Sequence, residues 1–115
     1  MARLLLVGWR AVAVEAEAAR LRAAGHEVRT ETTDGARAVR RATGDPPDAM
    51  VVYLTHRSSN GRETAAVLRG HRAGRAIPVI FVGGEPEDVE KALAKVPDAQ
   101  SVAREDLETA LAALG

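Results

Sequence analysis

The chain has 115 residues and no cysteine, with 46% hydrophobic residues, 28% charged residues and a formal net charge of zero. That balance describes one globular domain, residues 1–115, rather than a disordered chain, and it provides no general attraction to nucleic acid or to an anionic membrane. Without cysteine there is no disulfide, thiolate metal site or Cys nucleophile, which fits a cytoplasmic protein; no apolar run approaches the roughly 20 residues that span a bilayer, and the first eight are too short for a secretory signal.

Apolar runs and amphipathic stretches alternate from end to end. "RLLLVG" is a nearly all-apolar strand closed by Gly8. "AVAVEAEAARLRAAG" has Val14, Ala18 and Leu21 at helical spacing, with Gly25 where a helix C-cap glycine belongs. "HEVRTE" alternates like a half-buried strand, and its polarity places it at a sheet edge. "TTDGARAVRRATG" is a short helix with Thr33 or Asp34 as cap and Gly44 as stop. "DPPD" is a turn, and "AMVVYL" a second buried strand.

"NGRETAAVLRGHR" is a helix in which Asn60 and Glu63 have capping-box spacing. "IPVIFVGG" is a third apolar strand ended by two glycines. "EPEDVEKALAKV" carries acids in its first turn and lysines near its end, which suits the helix dipole. "DAQSV" is a weak last strand and "REDLETALAAL" a final helix. Five strand–helix pairs joined by short connections predict a parallel sheet covered on both faces.

In order and spacing, "RLLLVG", Gly25, "TDGARAV", "PDAMVVY…NGRETAAVLR" and "RAIPVIFVGG" resemble a response-regulator receiver domain of two-component signalling. The resemblance covers nearly the whole chain. It implies the flavodoxin-like (CheY-like) α/β three-layer sandwich, with five parallel strands in the order 2-1-3-4-5. It fails where receivers do their chemistry. Where a receiver has its magnesium-binding acids, this chain has Gly8 and Trp9. Tyr53 stands at the phospho-acceptor position, and Gly83 and Gly84 replace the Thr or Ser and following Ala that end strand four. No lysine stands near Gln100 or Ser101.

A phenol is a poor nucleophile without a base, and Mg²⁺ needs several oxygen ligands. The resemblance therefore implies a pseudo-receiver that is not an enzyme, takes no metal or cofactor, and acts through protein contact. The simplest role for Tyr53 is a ring buried at a strand end with its hydroxyl satisfied by a neighbour.

In such a sheet, ligands bind outside the carboxyl ends of the strands, at the switch point of strand order. Arg10, Arg57, Gly83, Gly84 and Arg104 are expected near that crevice. They form a candidate site for a nucleotide or another small anion, with Trp9 as a stacking surface. The competing reading is a plain Gly-Gly turn with solvated arginines, opposed by the nearby Glu85, Glu87 and Asp88.

His56 reads as a surface loop residue, and Ser58 and Ser59 as turn and cap residues. The basic stretch "RGHRAGR" from Arg69 to Arg75 reads as a solvated helix end rather than a phosphate contact. By resemblance, the face of helix four, strand five and helix five would meet a protein partner or a second copy. Val89, Lys91, Leu93, Lys95, Val96, Glu105 and Glu108 are expected on that face.

Overall fold

A computed structural model describes residues 1–114. The strands are β1 (Arg3–Val7), β2 (Glu27–Glu31), β3 (Ala49–Tyr53), β4 (Val79–Val82) and β5 (Gln100–Val102). The helices are α1 (Ala11–Ala23), α2 (Gly35–Gly44), α3 (Ser58–Gly70), α4 (Pro86–Lys95) and α5 (Leu107–Ala112). All strand pairs are parallel, in the order β2-β1-β3-β4-β5. The expected flavodoxin-like architecture is the one observed, with the more polar β2 at one edge.

The period-two alternation of strand side chains divides the core. Leu5, Val7, Met50, Val52, Val79 and Phe81 face the layer of α2, α3 and α4. Leu4, Leu6, Val51, Tyr53, Ile80 and Val82 face the layer of α1 and α5. All twelve are buried, so the central strands have no polar face, as a sheet covered on both sides requires.

Local caps explain the starts of α2 and α4. Asp34 caps α2 by accepting from the Arg37 N–H. The buried Glu31 carboxylate accepts from the backbone N–H groups of Thr33 and Asp34 and from the Thr33 hydroxyl, each at 3.2 Å, and so shapes the turn into α2. Glu85 and Asp88 form a capping box on α4, with Pro86 in the first turn.

Three expected boundaries shift. Gly44 is the last residue of α2 rather than its stop, and Asp45 is the C-cap. Residues 104–106 form a single 3-10 turn before α5. The Asn60–Glu63 box does not form, because α3 starts earlier, at Ser58. Its N-cap is Arg57, which at φ 48° is the one non-glycine among the described residues with positive φ. Asn60 instead offers its carbonyl to the Thr64 hydroxyl, and Glu63 pairs with Lys95 of α4.

Candidate functional site

Strand order reverses between β1 and β3, and a cleft of about 280 Å³ opens outside their carboxyl ends. Gly8 and Trp9 follow β1, Tyr53 ends β3, Val82 ends β4 and Gly83 follows it. Val14 and Glu17 of α1 form the facing wall. Gly8 is tightly enclosed. A Cβ placed there would lie 2.7 Å from Val14 and 3.4 Å from Tyr53. A carboxylate side chain therefore does not fit at Gly8 in this packing.

Tyr53 is 8% exposed, and its hydroxyl donates to Glu17 Oε1 over a long 3.4 Å. The same Oε1 accepts from Arg20 at 3.0 Å, and Oε2 accepts from Arg104 Nε at 2.5 Å. A phenol, one carboxylate and two guanidinium groups thus occupy the space beside the strand end. Burial works against a charge on Glu17. The two arginines outweigh it and hold the carboxyl below the usual range.

For Tyr53 the shift is opposite and larger: burial first, then the Glu17 carboxylate, push the phenol well above its ordinary 10.0. The folded state therefore holds this proton more tightly than the unfolded chain does. Its contribution to stability is complete below pH 10 and is lost as pH rises above it. Tyr53 is the only tyrosine of the chain, so tyrosinate absorbance reports it alone. The phenolate is expected to appear only together with unfolding, and Tyr53→Phe to flatten the alkaline loss of stability. A reversible titration near pH 10 in the folded protein would contradict this environment.

The five residues expected to cradle an anion converge only in part. Arg10, Gly83 and Arg104 line the cleft, whereas Arg57 and Gly84 do not. Arg104 is already paired with Glu17. The Gly83 N–H donates to the Val102 carbonyl at 3.1 Å, so it is not free for a ligand. Gly83 and Gly84, at φ 72° and 91°, provide a left-handed turn that other residues adopt only with strain. The first turn of α4 is capped by its own carboxylates, and Asp88 also accepts from the Ser58 hydroxyl at 2.9 Å. Arg10 remains exposed at the rim, with its Nη1 3.4 Å from Nε2 of His56. Trp9 is half-buried and packs against the core beneath α2 and α3.

Among the described residues, no group of three or more His, Asp or Glu side chains could hold a metal ion. Glu17 is the acid that the sequence reading missed. Its position, three residues after Val14 and four before Leu21, places it on the buried stripe of α1, and that spacing is visible in the sequence.

The expected interaction face is also rearranged. Val96 is fully buried, and Val89 and Leu93 pack half-buried against the core. Lys95 turns toward α3 and pairs with Glu63, while Glu108 meets His26 at 3.0 Å. Lys91 and Glu105 stay exposed. The basic stretch divides in a similar way. Arg69 is tied into the fold, whereas Arg72 and Arg75 are exposed.

No protein-family model and no curated protein sequence matches the chain. Solved structures do. The chemotaxis protein CheY4 of Vibrio cholerae superposes with a TM-score of 0.81 at 21% identity, covering 100% of this chain and 99% of that one. The receiver domain of sensor histidine kinase PA1611 from Pseudomonas aeruginosa, with magnesium coordinated in its active-site cleft, gives 0.78 at 24% identity, with 96% and 93% covered. The signal receiver domain of a signal transduction histidine kinase from Syntrophus aciditrophicus gives 0.79 at 21%, with 99% and 89% covered.

The chain has the receiver fold. At these identities the likeness concerns the fold. On this receiver fold the carboxyl ends of β1 and β3 carry Gly8, Trp9 and Tyr53, and the nearest acid, Glu17, comes from α1.

Proposed function

We propose that this chain is a phosphorylation-independent signalling or regulatory module on a receiver fold, acting by contact with a protein partner or a second copy of itself. The observation that carries the reading is the buried ring at the end of β3. Tyr53 is buried where an acceptor carboxylate would stand, and the Glu17–Arg104 pair occupies the space beside it. The likeness to receiver domains supports a regulatory role, and among the described residues no group of three or more His, Asp or Glu side chains gathers at this end of the sheet.

Acetyl phosphate with Mg²⁺ tests the first half. Intact-mass spectrometry is expected to find no phosphoryl adduct, and a hydroxylamine-sensitive adduct on a carboxylate would overturn the assignment. For the second half, the face of α4, β5 and α5 is the surface to probe. Lys91 is the clean position, because Lys95 is engaged with Glu63 inside the molecule. Lys91→Glu is expected to weaken self-association in sedimentation experiments without changing the thermal midpoint. Unchanged association would move the contact off this face.

A further inference from the structure

We propose that the cleft at the carboxyl ends of β1 and β3 binds a small planar apolar molecule bearing one carboxylate, held by Arg10 at its rim. The first observation is size. At about 280 Å³, the cleft is slightly smaller than the usual ligand pocket, which runs from roughly 300 to 1,000 Å³. A single ring system fits that space, and a dinucleotide does not.

The second observation is the wall. Trp9, Ala13, Val14, Tyr53 and Val82 present mainly apolar surface to the cleft. Water in such a concavity is readily displaced by an apolar group. Trp9, half-buried and packed against the core with its ring toward Gly35 of α2, closes one side of the cleft.

The third observation is charge. Two arginines line the cleft, and they differ. Arg104 has its carboxylate in Glu17. The guanidinium of Arg10 has only His56 as a polar neighbour among the described residues. One cation is thus available for one anionic group, and a charge-assisted hydrogen bond to a carboxylate suits it. A phosphate is poorly served. The Gly83 N–H is bonded to Val102, and the first turn of α4 is capped by its own acids. The structure thus changes the ligand chemistry from the anion cradle expected of the sequence. This site is independent of where a protein partner docks, and its failure would leave the phosphorylation-independent reading standing.

Trp9 is the only tryptophan, so intrinsic fluorescence reports the cleft directly. The probe is para-isopropylbenzoate, with its neutral amide and inorganic phosphate as comparators. The benzoate is expected to change Trp9 emission saturably and to raise the thermal midpoint, and the amide to bind about tenfold more weakly. Phosphate is expected to do nothing.

Ala13 is exposed on α1 and lines the cleft, so Ala13→Phe is expected to block the benzoate with the fold intact. Arg10→Ala is expected to erase the preference for acid over amide. No saturable response to the benzoate, full binding by the Ala13→Phe variant, or competition by phosphate at equal concentration would each overturn the proposal.

Discussion

Tyr53→Asp, which puts an acid at the end of β3, is expected to destabilise the protein by at least about 3 kcal/mol and to remain unphosphorylated. Two physical effects add. The aromatic ring is buried, and removing it leaves a cavity, which costs about 3–5 kcal/mol for a large aromatic replaced by a small residue. The new carboxylate is too short to reach the place of the Tyr53 hydroxyl, so Glu17 loses a donor but keeps Arg20 and Arg104. The aspartate itself would be left partly buried without a partner, a smaller cost added to that of the cavity. Nor does the substitution assemble a metal site. Gly8 has no room for a side chain, and Trp9 is packed against the core.

Thermal unfolding measures the first effect, as a midpoint lowered by more than about 10 °C. Acetyl phosphate labelling of the variant measures the second. A stable, phosphorylated Tyr53→Asp protein would mean that the strand end is open and solvated rather than filled.

The second large effect is expected at Arg69. Its Nη1 donates to the carbonyls of Gly74 at 2.8 Å and Ile77 at 2.7 Å. Its Nε and Nη2 bond both carboxylate oxygens of Asp98, at 3.1 and 2.7 Å. One guanidinium therefore joins the end of α3, the connection into β4 and the loop between α4 and β5. The arginine holds Asp98 below the ordinary carboxylate range.

Arg69→Ala leaves two carbonyls without their donor and unties Asp98, at an expected cost of about 2–4 kcal/mol. Arg69→Lys should recover only part of that, because an ammonium cannot reproduce the planar fork. Arg72→Ala and Arg75→Ala are expected to stay within about 0.5 kcal/mol, as exposed substitutions usually do. Chemical denaturation of the four variants separates these outcomes. Equal and small effects at all three positions would restore the view of a uniformly solvated basic segment.

The contrast between Arg69 and its neighbours shows where sequence reasoning stops. Arg69, Arg72 and Arg75 look alike in the chain. Only the fold brings Asp98 and two loop carbonyls around the first of them. Lys95 is similar. Its place at the end of α4 suits the helix dipole, but the proximity of α3 decides that it meets Glu63 and so leaves the expected interaction face. The candidate anion residues separate for the same kind of reason. Arg57 and Arg104 are both near strand ends in sequence, yet Arg57 lies outside the cleft at the left-handed start of α3 and Arg104 lines it in an ion pair.

What the sequence determined by itself was local and periodic. Unbroken apolar runs at β1, β3 and β4 require burial on both faces, and the polar alternation of β2 requires an edge. Short connections between strands and helices require a parallel sheet. The identities of Gly8, Trp9 and Tyr53 at the ends of β1 and β3 are equally plain without coordinates. The tertiary structure alone decided which side chains meet across the strand ends. Glu17 and Arg104 are 87 residues apart and pair because α1 and the turn before α5 converge over β3. A charge's role depends on its partner and its solvent, and both are set by packing rather than by chain position.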